Sequence, residues 1–396
     1  MYDLEKLSKK QLLVLLLSLA LYFCFPGLFD TVSLAAKTTA AEAKNIDYLA
    51  EYESIQYGTS DGLLSAELNA ITQTSDGYIW VGSYSGLYRY DGVRFEKTSL
   101  DDRISSVTAL FADSLGRLWI GTNDNGLCCY RTDTGSVTFF TPEDGLASYS
   151  IRSLCEDSDG TIYVGTVTFL STIDRENNVV THSEWEDITS VRSLSTTDGD
   201  MVAGVTNGGT LFFIQNATLV ESRQYDVDGI YYAAVCFLGT NTFVVGTSGN
   251  ILVKITFDGT SFHSISSITT GKVSYFSDFL YDTATNGYFF CAENGLGYVS
   301  KLNKVTYLMQ DTFENSVSDA IKDYQGNIWF VSNKQGLMEY SRNPFINIFA
   351  KAELTSSVVN SLMVLDNRIY VGMDSGLVVI NKSTFEPYHY DYLSYF

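Results

Sequence analysis

Short apolar runs alternate with polar breaks along most of this chain, and the breaks are rich in Asp, Asn and Gly. From residue 107, Val107 to Ala112 reads as a strand and Asp113-Ser-Leu-Gly116 as a turn. Arg117 to Gly121 is the next strand and Asn123-Asp-Asn125 a loop. Gly126 to Arg131 is a third strand, and Val137 to Phe140 a fourth after the turn Asp133-Thr-Gly135. Short strands bounded by turn residues at this spacing predict an all-β chain. The apolar pair and glycine that end the second strand recur as Trp80-Val81-Gly82, Trp119-Ile120-Gly121, Tyr163-Val164-Gly165, Val202-Ala203-Gly204, Val244-Val245-Gly246 and Tyr370-Val371-Gly372. Phe290-Cys291-Ala292 and Phe330-Val331-Ser332 keep the apolar pair and lose the glycine. Successive anchors lie 39 to 46 residues apart. Four short strands in about 40–45 residues make one propeller blade. The repeated glycine predicts a place where backbones approach closely near the axis.

Eight copies predict a seven-bladed β-propeller of four-stranded blades over 46–342, plus the start of a second propeller over 343–396. Tyr52 to Tyr57 precedes the first repeat and has no blade of its own, so it is expected to complete the blade built from 317–341. Such closure removes exposed sheet edges. Pro344 to Phe349 precedes the eighth repeat in the same way. A terminal blade has at most one neighbour, so Val358, Leu362, Ile369, Val371, Leu377 and Val379 are expected to stay partly exposed.

The first 45 residues read differently. Lys6, Lys9 and Lys10 precede an uncharged apolar run from Gln11 to Phe25, then Pro26-Gly27 and the small-residue site Ser33-Leu-Ala-Ala36. That order is a secretory signal peptide; the rival is a retained membrane anchor, since 11–29 is just long enough to span. Either one directs the rest of the chain to export. Leu21-Tyr-Phe23 before Cys24 is too bulky for a lipoprotein site, and 37–47 reads as a tether.

The chain has 396 residues and a net charge of −21, with 27 Tyr, 24 Phe and 31 Gly against 4 Pro, as befits a turn-rich β protein. No basic stripe is present, which argues against nucleic acid as a partner. Cys24, Cys128, Cys129, Cys155, Cys236 and Cys291 show no metal-type spacing and read as small hydrophobes, with Cys128 and Cys129 on opposite sheet faces. His182, His263 and His389 fall at unrelated repeat positions, which gives neither a metal cluster nor a catalytic triad. The turn carboxylates, as in Ser75-Asp-Gly77 and Asp159-Gly160, have a structural reading in their turns. Gly295-Leu-Gly297 is not a phosphate loop. The expectation is a non-catalytic chain without cofactor or metal.

The segments GYIWVGSYSGLYRYDG (77–92), GRLWIGTNDNGLCCYRTDTG (116–135) and FFTPEDGLASYSIRSL (139–154) resemble the two-component regulator propeller repeat. The match is strong in repeats one and two, fair in three, seven and eight, and poor in four to six, over roughly 50–390. The resemblance implies the exported ligand-sensing region of a bacterial signal-transduction receptor. Such receptors carry two seven-bladed propellers, an immunoglobulin-like segment, a membrane helix and a cytoplasmic output domain. On that pattern the chain ends within a second propeller, and the full-length receptor is membrane-attached and able to dimerise through its C-terminal regions.

Propeller ligands are expected at the channel mouth, on loops between blades and between second and third strands. The candidates there are Tyr84, Arg103, Asn123, Asp124, Tyr149, Arg152 and Arg192. Tyr84 and Tyr149 offer aromatic faces, and Asn123 and Asp124 mixed polar contacts. Arg103, Arg152 and Arg192 fall at similar places in blades two, three and four. They read either as inter-blade salt bridges to Glu156 or Asp187, or as donors to a carboxylate or hydroxyl-rich ligand. The ligand class is a carbohydrate or other small polar molecule. The alternative function is a propeller hydrolase or lyase acting on extracellular polysaccharide.

Overall fold

The computed structural model describes residues 52–196, 201–224, 228–239, 241–257, 261–308, 313–342, 347–355 and 357–388. The signal or anchor segment 1–45 lies outside them. The chain divides into two compact units, Met1–Tyr52 and Glu53–Phe396. Apart from Tyr52 itself, the β-sheets lie in the second.

The strands form eight four-stranded sheets. The inner strands of the first seven are Leu68–Gln73, Val107–Ala112, Ile151–Glu156, Val191–Thr196, Tyr232–Phe237, Phe276–Asp282 and Val317–Lys322. Each lies against the next, and the seventh lies against the first, so the sheets close into a seven-bladed ring. The seventh blade runs from Val317–Lys322 through Ile328–Ser332 and Gly336–Arg342 to Tyr52–Tyr57 as its outer strand. Closure is reinforced at Tyr57. Its hydroxyl donates to Glu339 at 2.8 Å, and its ring packs on Trp329 of the same blade and on Tyr90 and Phe95 of the first.

The apolar core is divided among the seams. Leu68, Ile71 and Val81 of blade one meet Trp329, Val331 and Leu337 of blade seven. Ala109, Trp119 and Leu127 of blade two meet Ile151, Ile162 and Val164 of blade three. Four of the recurrent glycines, Gly82, Gly121, Gly165 and Gly246, face the next blade at a seam. A Cβ on Gly82 would collide with Val107, on Gly121 it would lie 2.7 Å from Ile151 Cγ2, and on Gly246 2.5 Å from Phe276 Cβ. Each partner is the first residue of the next inner strand. At these three the close approach is side chain onto backbone between blades; a Cβ on Gly165 would also lie 2.8 Å from the Val191 carbonyl of the next blade, and Gly204 and Gly372 face Phe212 and Ser361 of their own sheets.

Turn carboxylates lock the hairpins of blades two and seven. Asp113 accepts from the backbone N–H of Leu115 and Arg117 and from Trp119 Nε1 at 2.8 Å. Asp323 repeats this with Gln325, Asn327 and Trp329 Nε1. These side chains satisfy both the turn and a buried indole, which leaves little capacity for a ligand. Cys128, Cys129, Cys155 and Cys291 are free and buried, and Cys236 is free and half-buried.

The eighth sheet starts with Val359–Leu365 and is not part of the seven-membered cycle. Val358, Leu362 and Leu377 are exposed, as the sequence predicts, and Met363, Val364 and Leu365 are exposed with them. Ile369, Val371 and Val379 are instead buried. The short helix Ile348–Lys351 and the turn after it supply the cover: Ile348, Phe349, Ala352 and Leu354 pack on Ile369, Val371 and Ile380.

Candidate ligand site at the axial channel

Every inner strand of the ring carries the same irregularity near its start. Pairing to the second strand skips one residue: Asn69, Thr108, Arg152, Arg192, Ala233, Ser277 and Ser318 in blades one to seven. A bulge re-aims the skipped side chain. Here Asn69, Thr108, Ser277 and Ser318 use it to join the ring. Asn69 donates to the carbonyl of Val107, Thr108 to Ile151, Ser277 to Val317 and Ser318 to Leu68, at 2.6–3.2 Å. Each bond crosses to the first residue of the next inner strand.

Arg152 and Arg192 hold the same position but do not bond to the next inner strand. They extend into the channel instead. Arg152 donates to Asn123 Oδ1 at 3.0 Å and to the carbonyl of Ile151 at 3.2 Å. Asn123 also accepts from Ser150 Oγ and donates to Asp124. Arg192 makes no hydrogen bond or ion pair among the described residues, and burial pushes its guanidinium below its ordinary value. Glu156, a sequence-predicted bridge partner, accepts from Ser114 of the preceding blade. Neither arginine is in any ion pair among the described residues.

Two cavities occupy the channel. The outer one, at the mouth, has a volume of about 250 Å³ and is lined by Asn69, Tyr84, Thr108, Asn123, Arg152, Ser318 and Asn333. Tyr84, Asn123 and Asn333 are the residues just after the second strands of blades one, two and seven, so three adjacent blades present one loop position. The inner cavity, about 160 Å³, shares four of these residues and adds Arg192, Asp278 and Asp319.

Of the seven candidates, Tyr84, Asn123 and Arg152 therefore meet at the mouth, and Arg192 joins Arg152 below it. Arg103 is out of phase, because Thr108 holds the blade-two position. Arg103 sits in the preceding loop, ion-paired to Asp101 at 2.9 Å with its guanidinium over Phe139. Asp124 touches the site through Asn123, and Tyr149 donates to Glu143; neither lines these two cavities.

Asp278 and Asp319 are site residues that the sequence reading does not single out. They follow the bulge serines as Ser277-Asp278 and Ser318-Asp319, a repeated dipeptide at one phase that is the signal for them. Asp319 accepts from the backbone N–H of Ile71 at 2.9 Å and of Ala320 at 2.8 Å, and Asp278 accepts from Ala320 at 3.3 Å. The two carboxyls also act on each other. Burial and the Asp319 charge hold Asp278 well above the usual carboxylate range, and burial raises Asp319 to about 6. Two such groups side by side retain a proton between them.

Comparison with known proteins matches parts of the chain and its fold. Residues 62–85, 103–124 and 145–168 match the two component regulator propeller. Over 86 residues the chain is 33% identical to histidine kinase P4 of Formosa agariphila, a match covering 20% of this chain and 6% of that protein. Among solved structures, the extracellular domain of a putative hybrid two component system from B. thetaiotaomicron is alike at 19% identity. It matches over 87% of this chain and 50% of its own, with a TM-score of 0.60. A streptogramin B lyase matches at 15% identity over 74% of this chain and 98% of its own, with a TM-score of 0.61. A catalytically inactive histidine-to-alanine form of Staphylococcus aureus virginiamycin B lyase with quinupristin matches at 12% identity, over 73% and 98%, with a TM-score of 0.58. The structural likenesses establish the β-propeller fold, and the repeat match covers those three segments of it.

Proposed function

We propose that this chain is the exported, non-catalytic ligand-sensing part of a signal-transduction receptor, and that its ligand, a carbohydrate or other small polar molecule, binds at the axial mouth. One observation carries the reading. Asn123 holds the Arg152 guanidinium at the rim of the mouth cavity beside exposed Tyr84. A planar, always-charged donor next to an aromatic face is a set that takes hydroxyl-rich or carboxylate ligands. The receptor-type repeat supports the sensor role, and the apolar N-terminus supports display on the outer face of a cytoplasmic membrane with membrane attachment in the full-length protein.

The lyase likeness favours a second reading, a propeller hydrolase or lyase acting on extracellular polysaccharide. The described histidines weigh against it. His182 directly follows the outer strand Val179–Thr181 of blade three, held by Thr172 and Glu184 and stacked on Trp185. His263 is on the outer strand Phe262–Thr269 of blade five. Both stand at blade edges, away from the channel, and His389 lies outside the described residues. Calorimetry of the chain against a panel of neutral and acidic oligosaccharides, with product analysis of the same mixtures, separates the readings. Saturable heat without cleavage supports the sensor, and cleavage supports the enzyme.

A further inference from the structure

The seven-membered ring puts blades three and four opposite blades six and seven. Arg152 and Arg192 thus line one wall of the inner cavity, and Asp278 and Asp319 line the facing one. Blade five, between Arg192 and Asp278, places Ala233 at the bulge and adds no polar group. Unlike charges that could neutralise each other are held apart: no ion pair joins the two walls among the described residues. Arg192, half-buried in the channel wall, is left without a protein acceptor among the described residues. The walls are also fixed. Asp278 and Asp319 are tied to backbone N–H groups of blades seven and one, and Arg152 to Asn123. At about 160 Å³ the cavity is below the roughly 300–1,000 Å³ of pockets for drug-sized ligands, so only a molecule of a few heavy atoms fits.

We propose that the inner cavity binds a small zwitterion of amino-acid size, its carboxylate on Arg152 and Arg192 and its ammonium on Asp278 and Asp319. The inference rests on the reading that ligands enter through the mouth. It names for the deeper cavity a ligand class that a neutral sugar does not satisfy, since a sugar leaves both charged walls uncompensated. The carboxyl pair makes a distinctive accessory prediction. It retains a proton when the cavity is empty, and an ammonium group against it favours full ionisation, so binding expels that proton to buffer. The other titratable groups close to the pair are the thiols of Cys236 and Cys291, which burial keeps neutral.

The test is calorimetry on the full chain with each of the twenty amino acids, with propionate and with ethylamine, at pH 7 in two buffers of different ionisation enthalpy. The expected result is saturable binding of one or more amino acids, at least tenfold tighter than either half-ligand, with heats that differ between buffers by up to one released proton. Arg192→Gln and Asp319→Asn should each weaken the amino acid at least tenfold, while Asp319→Asn leaves propionate unchanged. An amino acid no tighter than propionate, or unaffected by Asp319→Asn, overturns the proposal. So does the absence of amino-acid binding; if oligosaccharides still bind, the mouth reading survives, and if nothing binds, both fall. Should a variant melt early, wild-type affinities and proton release decide the matter without it.

Discussion

A single bulge position determines what each blade contributes to the channel. Short polar side chains there close the ring by hydrogen-bonding to the next blade, and arginines there face the channel. Asp319 shows the accompanying cost. Its carboxyl is raised to about 6 in the fold, against about 3.9 in an unfolded chain. A raised carboxylate favours the fold fully below pH 4 and loses that advantage as pH climbs through 6. Asp319→Asn removes the titration and keeps an acceptor for Ile71. The melting temperature of this variant relative to wild type should therefore rise steadily between pH 4 and 7, by the equivalent of on the order of 2 kcal/mol. A pH-independent difference would contradict the assignment. At the seams, Gly121→Ala should cost about 1–3 kcal/mol by overpacking against Ile151, read as a lower denaturant midpoint; an unchanged midpoint would show that the seam can relax. Asp278 and Asp319 also show a limit of sequence reading. Turn chemistry accounts for carboxylates such as Asp113 and Asp323, but a Ser-Asp dipeptide inside a strand looks like nothing until the bulge turns its serine inward.

Among the elements, the outer strand Tyr52–Tyr57 carries closure. Its place in the last blade was legible because a strand without a blade stands ahead of the first repeat. Tyr57→Phe removes the donor to Glu339, whose carboxyl burial already raises. The loss should be about 1–3 kcal/mol, the range for an unsatisfied buried acceptor. Removing residues 1–57 should go further and produce concentration-dependent association through the bared edge of Gly336–Arg342, visible by light scattering, whereas removing 1–45 should leave a folded monomeric β protein. Arg103 falls outside the site because loop position does not report strand phase: the bridging loops differ in length, while the bulge keeps its register. The eighth sheet was half legible. Its exposed inner strand follows from the missing neighbours, but the cover over Ile369 and Val371 comes from a short helix that no repeat predicts. Limited proteolysis should cut near 350–357 before any site in 107–140, and equal protection would mean that the eighth sheet is as firmly packed as blade two.

For the whole molecule, the ring is a rigid frame whose seven seams leave one polar channel with a mouth and a neck. The repeat period and the family likeness made the ring legible. The channel lining was legible in part: Arg152 and Arg192 fall at similar places in their repeats, whereas Asp278 and Asp319 stand inside inner strands, where the repeat's motif does not mark them. The account depends on Arg152 acting on a ligand rather than holding blades together, and the structure gives it no carboxylate partner among the described residues. The most direct measurement is therefore made on Arg152→Ala: affinity, by calorimetry, for whichever oligosaccharide or amino acid binds the wild-type chain, alongside the melting temperature of the ligand-free protein. The account predicts a loss of about 1.5–3 kcal/mol in binding, the range for a hydrogen bond to a charged group, or roughly 10- to 150-fold in Kd, with melting lowered by no more than the loss of the bond to Asn123 explains. A lowered melting temperature with affinity intact would contradict it.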